Sequence, residues 1–139
     1  MKIAMVGSGA AGSVFASYLR AGGADMTLVD PYKAHMDKVA KDGMKFTIYP
    51  DKTTVLTGFK TAYNADDIGI MDIVIFMTKT NQLDEALKGA APCIGPETVL
   101  VSLVLGRAPV YEYGRSGGIL LDDESTKAAV RKIIEGGEQ

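Results

Sequence analysis

Residues 2–30, KIAMVGSGAAGSVFASYLRAGGADMTLVD, decide the fold of this chain. A short apolar run comes first, a G-x-G-x-x-G turn follows it, and a second apolar run ends in an acid. The turn consists of Gly7, Gly9 and Gly12, and the acid is Asp30. This order of strand, glycine turn, helix, strand and acid is typical of a βαβ unit that binds a dinucleotide. We therefore expect a cofactor site at the start of a parallel sheet.

Each glycine of the turn has its own physical role. Gly7 lets the chain turn tightly out of the first strand, and Gly9 has no β-carbon, so a pyrophosphate can approach the backbone. Gly12 lets the following helix pack close to the strand. The alternative is a strand, turn and helix that bind nothing. Three correctly spaced glycines argue against it, because glycine weakens regular structure.

The first helix is predicted over Ala10–Ala21, because two consecutive glycines follow it. The first N–H groups of a helix have no partner inside the helix, and together they favour a bound anion. We therefore expect the N–H groups of Ser8, Ala10 and Ala11 to point at the phosphates of the cofactor.

Asp30 bears on which dinucleotide binds. A carboxylate at the end of the second strand accepts hydrogen bonds from the adenosine ribose hydroxyls, and it repels the 2′-phosphate of NADP. This favours NAD. Lys33 follows three residues later and could attract that phosphate, so NADP stays open. The alternative for Asp30 is a surface turn residue before Pro31.

Composition limits the class of protein. The 139 residues are the size of one domain, and 47% of them are hydrophobic, enough for a core. The net charge of −2 gives no sign of nucleic acid or of an anionic membrane surface as a partner. The single cysteine, Cys93, fits a packing role and a reducing compartment, so we expect a cytoplasmic protein.

Three kinds of sequence feature are not found. One histidine, His35, and one cysteine give no ligand spacing for a metal site. The first residues do not read as a signal peptide, because glycines break a run of only strand length. No apolar run is long enough to span a membrane, so we expect no membrane partner.

The rest of the chain alternates between strand and helix patterns. We expect a helix over residues 33–41, a hairpin of 44–49 and 53–57, a connecting segment or short helix over 61–70, a strand over 72–77, a helix over 82–90 and a strand over 98–105. Two short strands (108–113 and 117–121) and a final helix (124–135) complete the prediction. This alternation predicts an α/β, Rossmann-like fold, in which a doubly wound, mostly parallel sheet carries helices on both faces.

Three segments resemble a known family. They are KIAMVGSGAAGSVFASYLRAGG (2–23), DIVIFMTKTNQLDEAL (72–87) and TVLVSL (98–103). In order and spacing, residues 1–105 look like the N-terminal half of the ketopantoate reductases, and residues 124–135 resemble the helix that closes that family's nucleotide domain. Many dehydrogenases share the opening motif. The more specific part is T-K-x-x-Q, here Thr78, Lys79 and Gln82.

The resemblance implies a function and a set of site residues. The implied reaction is hydride transfer from NAD or NADP to a small 2-keto acid of the 2-dehydropantoate type, which gives a 2-hydroxy acid. The glycine turn, the start of the first helix and the acid predict Gly7, Ser8, Gly9, Ala10, Ala11, Gly12 and Asp30 as cofactor-binding residues, and the resemblance adds Thr78, Lys79 and Gln82. A lysine placed like Lys79 lies beside the nicotinamide and the substrate in that family, so Lys79 is the candidate catalytic residue. The alternative is a solvated lysine at the end of a strand.

The chain also departs from the family pattern. The family carries an asparagine after the strand that matches residues 98–102, whereas this chain reads Ser102-Leu103. Many members prefer NADP through a basic residue where this chain has Asp30. We expect residues 1–139 to be a single dinucleotide-binding domain without the family's C-terminal helical domain, and an uncovered apolar face would then permit a homo-oligomer. Two alternatives remain: a non-catalytic nucleotide-binding module or sensor, and the cofactor domain of another 2-hydroxyacid dehydrogenase.

Overall fold

The computed structural model describes residues 1–48, 52–103 and 119–121. The chain begins with β1 (Lys2–Val6), α1 (Ala10–Ala21), β2 (Asp25–Val29) and α2 (Lys33–Asp42). It continues with β3 (Met44–Ile48), β4 (Lys52–Leu56), β5 (Lys60–Ala62), β6 (Ile73–Phe76), α3 (Leu83–Ala90), β7 (Val99–Ser102) and β8 (Ile119–Leu121). Short 3₁₀ turns at Thr80–Gln82 and Ala91–Cys93 flank α3.

One six-stranded sheet organises the fold, in the order β5-β2-β1-β6-β7-β8. Strands β5, β2, β1, β6 and β7 are parallel, and β8 pairs with β7 in the antiparallel direction. β3 and β4 form a separate antiparallel hairpin. β1 pairs with β2 on one side and with β6 on the other, so the strand order reverses there. Open α/β sheets bind ligands at the carboxyl ends of the strands beside such a point.

Hydrophobic side chains bury both faces of the sheet. Because successive residues of a strand point to opposite faces, neighbours such as Met5 and Val6 enter different cores. Met5 packs with Met26, Leu28 and Met36 on the side of α1 and α2, whereas Val6 packs with residues of α3. Burying one side chain of this size contributes roughly 1.5–3 kcal/mol. The predicted doubly wound arrangement is therefore confirmed, with apolar layers on both faces.

Most predicted elements are found, with small shifts at their ends. α1 has the predicted bounds, and the hairpin is present as β3 and β4. The predicted helix over 82–90 begins at Leu83, because residues 80–82 form a 3₁₀ turn. The predicted strand over 72–77 is shorter at both ends. β8 accounts for the described part of the predicted strand over 117–121, while the strand over 108–113 and the helix over 124–135 lie outside the described residues.

The segment predicted over residues 61–70 is confirmed in part: residues 63–70 connect β5 to β6 and contain no helix. Its start belongs to β5, which pairs with β2 through Thr27 with Lys60 and Val29 with Ala62. Asp66 lies in a turn rather than a helix, and its N–H donates to Asn64 Oδ1 at 3.0 Å. A strand of three residues is too short to show an alternating pattern, and its pairing partner lies more than thirty residues away.

Cys93 has the predicted packing role. Its side chain is fully buried at the end of α3, and Sγ donates to the carbonyl oxygen of Ala90 at 3.1 Å. Burial raises the pKa of the Cys93 thiol to about 11. Among the described residues, no helix is long and apolar enough to cross a membrane.

Candidate functional site

The glycine turn lies where the strand order reverses, and its three glycines have different surroundings. A β-carbon on Gly7, which has φ +90°, would lie 2.9 Å from the Met77 carbonyl oxygen, and one on Gly12 would lie 2.0 Å from the Gly7 carbonyl oxygen. At Gly9 an added β-carbon meets nothing within 4 Å. The first and third glycines are therefore required for packing, whereas the second leaves open space above the loop.

α1 begins in this open space. Gly9 precedes the helix without any side-chain cap, and its carbonyl oxygen accepts the Ser13 N–H at 2.9 Å. Ala10 and Ala11 are exposed in the first turn. Their N–H groups have no partner within the helix, because the first turn has no preceding carbonyl groups. The positive end of the helix is thus available to an anion.

Ser8 does not match its predicted role. Its N–H donates to Asp30 Oδ2 at 2.9 Å, so this amide is satisfied inside the protein and does not point at a phosphate. The Ser8 side chain is fully buried, with Oγ 3.9 Å from Met36 Sδ. Ser8 therefore stabilises the glycine loop through its hydrogen bond to Asp30. The expectation that its N–H points at a cofactor phosphate is corrected.

Asp30 stands at the carboxyl end of β2 and joins two segments of the chain. Its Oδ2 accepts the Ser8 N–H, and its Oδ1 accepts the Tyr32 N–H at 2.9 Å. The Asp30 N–H itself donates to the Ala62 carbonyl oxygen at 3.1 Å. These two hydrogen bonds fix the side chain in place. Because each carboxylate oxygen can accept a second hydrogen bond, Asp30 can still accept a ribose hydroxyl.

The T-K-x-x-Q segment lies on the other side of β1, after β6. Lys79 and Gln82 are exposed, and the Gln82 N–H donates to the Lys79 carbonyl oxygen at 2.9 Å, which closes the 3₁₀ turn. Thr78 Oγ1 differs from these groups, since it is buried and finds no hydrogen-bond partner within residues 1–48, 52–103 and 119–121. Among the described residues it is the only buried side-chain nitrogen or oxygen atom in this condition.

These segments surround a cavity of about 560 Å³. This volume lies within the range of small-molecule sites. The cavity brings together six of the predicted site residues: Gly7, Gly9, Asp30, Thr78, Lys79 and Gln82. Ser8 and Gly12 are buried and do not line it, and neither do Ala10 and Ala11, which lie exposed at the start of α1.

Sequence reasoning missed another part of the lining. Tyr63 and Asn64 reach the cavity from the carboxyl end of β5, and Glu85 reaches it from α3. The signal for Tyr63 and Asn64 would have been recognition of β5, since residues that follow parallel strands gather at one edge of a sheet. Glu85 lies three residues after Gln82, about one helical turn further along the chain.

Tyr63 carries its own small network beside Asp30. Its hydroxyl donates to the Asp37 carboxylate, and this bond raises the pKa of Tyr63 above its usual value. Lys33 Nζ lies 5.3 Å from the centre of the Tyr63 ring, a cation–π distance. The Lys33 ammonium therefore lies next to Tyr63, at the end of the cavity that Asp30 lines.

Another cavity, of about 530 Å³, lies between α1, α2 and the hairpin. Ser13, His35 and Phe46 are among its lining residues, and Ser13 Oγ is 3.5 Å from His35 Nε2. Ala10 lines it but Gly7, Gly9 and Asp30 do not, so this cavity lies beside the first turn of α1 and not over the glycine loop. Within the described part of the chain, no group of three or more His, Cys, Asp or Glu residues could hold a metal ion.

Comparison with known proteins adds to this geometry. A family model, Ketopantoate reductase PanE/ApbA, matches residues 3–107. A 2-dehydropantoate 2-reductase from Lactococcus lactis subsp. lactis is 28% identical over 106 residues, which cover 76% of this chain and 34% of the relative. One from Mesorhizobium japonicum is 30% identical over 118 residues, 84% of this chain and 35% of the relative.

A solved structure is similar in backbone as well. The ternary structure of D-mandelate dehydrogenase with NADH and anilino(oxo)acetate has a TM-score of 0.69 and 26% identity, and the match covers 81% of this chain and 36% of that one. The chain thus spans about a third of the length of each of these three proteins.

Proposed function

Because the chain belongs to the ketopantoate reductase PanE/ApbA family, we propose that it provides the nicotinamide dinucleotide site of an oxidoreductase that reduces a 2-keto acid to a 2-hydroxy acid. We also propose that residues 1–139 act as a single dinucleotide-binding domain. The observation that carries the proposal is the cavity at the strand-order reversal, where an open glycine loop and a fixed carboxylate face the same space.

The residues of this cavity suit the two ends of a dinucleotide. Open space above Gly9 admits a diphosphate close to the backbone, and the first turn of α1 offers N–H groups to its charge. Asp30 lies at the end of β2, on the side where the adenosine ribose binds in such folds. Thr78 and Lys79 lie on the opposite side of β1, which supports a role for them at the nicotinamide half.

Asp30 supports NAD over NADP. Two backbone N–H groups hold its carboxylate in position, so it cannot turn away from a 2′-phosphate without breaking these hydrogen bonds. The Lys33 ammonium over the Tyr63 ring is the opposing feature, because it could compensate a second negative charge. The D-mandelate dehydrogenase structure was solved with NADH, which agrees with the preference for NAD proposed here.

The substrate end is assigned to Lys79. A bound nicotinamide supplies the hydride that is added to the keto carbon of the substrate. Lys79 is exposed and lines the cavity after β6, so its ammonium can bind a substrate carboxylate or a cofactor hydroxyl. Gln82, at the start of α3, can donate or accept a further hydrogen bond at the same edge.

A second candidate is a nucleotide-binding module without chemistry. Ser102 favours it, because this small buried residue ends β7, where the family pattern has an asparagine nearby. Such a module would bind the dinucleotide through Gly9 and Asp30 in the same way. A third reading, the cofactor domain of another 2-hydroxyacid dehydrogenase, gains support from the similarity to D-mandelate dehydrogenase.

Calorimetric titration of the chain with NADH and NADPH tests the proposal. We expect both to bind, and NADH to bind more tightly. The oxidation of NADH is then followed by absorbance in the presence of ketopantoate and other branched 2-keto acids. Hydride transfer supports the reductase, and binding without transfer supports the module. If folded protein binds neither dinucleotide, the proposal is wrong.

A further inference from the structure

Thr78 presents a polar group that the protein itself leaves unsatisfied. Its Oγ1 is buried and has no hydrogen-bond partner in the part of the chain that the structure describes, although the residue lines the cavity between Gly7 and Lys79. A buried hydroxyl without a partner destabilises a folded protein, and such groups occur where a ligand or a catalytic role accounts for them. Stability alone would favour valine here, because valine has nearly the same shape and no hydroxyl.

The side chain of Thr78 stands directly against the glycine loop. Its methyl carbon Cγ2 lies 3.1 Å from the place that a β-carbon on Gly7 would occupy. The hydroxyl and the methyl group share one β-carbon, so one rotation of about 120° between staggered positions brings the hydroxyl to the place of the methyl group and moves the methyl group to the place of the hydrogen. After that rotation the hydroxyl faces the loop, where it can donate to an oxygen of a bound anion or sugar.

Thr78 lies on the far side of β1 from Asp30. β1 separates β2, which ends at Asp30, from β6, which leads to Thr78. If Asp30 accepts the adenosine ribose, Thr78 must meet the half of the dinucleotide that carries nicotinamide. The adenosine half would then lie on the other side of β1, so its oxygen atoms could not reach the Thr78 hydroxyl.

We propose that Thr78 is a positioning residue whose hydroxyl is paired only when a dinucleotide binds, through an acceptor oxygen of the nicotinamide half. This inference rests on the proposed function. It also explains why the family-like T-K-x-x-Q segment has threonine at this half-buried position, with its hydroxyl oxygen buried. The hydroxyl destabilises the free protein and contributes to the affinity for the complete dinucleotide.

Thr78→Val tests the proposal through two measurements that move in opposite directions. Without ligand, we expect the variant to melt about 4 °C higher, because it loses an unsatisfied buried hydroxyl. By calorimetry, we expect it to bind NADH about tenfold more weakly, since one hydrogen bond is lost. Its affinity for AMP, which lacks the nicotinamide half, should not change. Thr78→Ser keeps the hydroxyl and should retain NADH binding.

Thr98→Val is the matched control. Thr98 Oγ1 accepts the Gly95 N–H at 2.8 Å and donates to the Met71 carbonyl oxygen at 2.7 Å, so its hydroxyl is satisfied. The same substitution should therefore lower the melting temperature, and folded Thr98→Val should bind NADH like the parent protein.

The possible results separate the two proposals. If the parent protein binds NADH and Thr78→Val binds it equally well, the role of Thr78 is wrong and the proposed function stands. A lower melting temperature for Thr78→Val, or an equal loss of AMP and NADH affinity, also overturns it. If the folded parent protein binds neither NADH nor NADPH, the proposed function fails and the role of Thr78 fails with it.

Discussion

Replacing Gly9 with alanine should separate ligand binding from folding. Gly9 has φ −66° and ψ −162°, an extended backbone that any residue adopts, and an added β-carbon meets nothing within 4 Å. The substitution should change stability by less than about 1 kcal/mol, because the smaller entropy of the unfolded chain opposes a slightly poorer helix cap. The effect on dinucleotide binding should be much larger.

The size of the binding defect follows from the same open space. A methyl group on Gly9 would occupy the open space proposed for the diphosphate, and it would keep the phosphate oxygens from the first N–H groups of α1. A hydrogen bond to a charged group contributes about 1.5–3 kcal/mol. Losing one such bond weakens binding about tenfold to a hundredfold, at 1.4 kcal/mol for each factor of ten. Leucine at this position should abolish binding.

Calorimetry with NADH and thermal unfolding of the same samples provide the assay. Gly12→Ala is the contrasting variant, since its β-carbon would lie 2.0 Å from the Gly7 carbonyl oxygen and should destabilise the fold strongly. If folded Gly9→Ala binds NADH as tightly as the parent protein, the diphosphate does not lie over this loop. If Gly9→Ala unfolds instead, the space above Gly9 has been misinterpreted.

The remaining predictions concern three single side chains. Asp30→Ser should bring the affinities for NADH and NADPH closer together. It should also lower the free energy of unfolding by about 1–2 kcal/mol, because the Ser8 and Tyr32 N–H groups lose their acceptor. An unchanged ratio of the two affinities would show that Asp30 does not contact the ribose. Lys79→Ala should weaken NADH binding up to about tenfold, whereas Lys88→Ala, on an exposed part of α3, should have no effect; equal affinities in both variants contradict the assignment of Lys79. The buried Cys93 thiol, whose pKa is raised to about 11, should react with a thiol reagent at pH 8 only after unfolding. Because its pKa is higher in the folded than in the unfolded protein, stability should be unaffected by Cys93 below pH 9 and should fall between pH 9 and about 11. Thermal scans against a Cys93→Ala control check this, and identical pH profiles would contradict it.

The sequence predicts those parts of the fold that depend on local patterns. α1 is bounded correctly, because a glycine turn precedes it and Gly22 and Gly23 end it. The buried strands are apolar runs that need no knowledge of their partners. β5 was missed because its three residues become a strand only by pairing with β2. Because β5 was missed, Tyr63, which follows it, was not predicted to lie beside Asp30.

In the candidate site, too, the sequence predicts some features and not others. The positions of Gly7, Gly9 and Asp30 at the strand ends follow from spacing along the chain. The hydrogen bond from the Ser8 N–H to Asp30 does not, because it joins residues 22 positions apart. Nor could spacing reveal that the Thr78 hydroxyl lacks a partner, since that depends on every group packed around it.

The two hydrogen bonds that Asp30 accepts limit how the coenzyme preference of this chain can be changed. Exchanging the acid for a small or basic residue to accept NADP would release the Ser8 amide and loosen the loop beneath the proposed diphosphate site. Asp30→Asn is the better starting point, because its carboxamide oxygen can keep one backbone N–H while the charge is removed. A designer would then add the phosphate-binding cation elsewhere, with Lys33 already in place beside Tyr63.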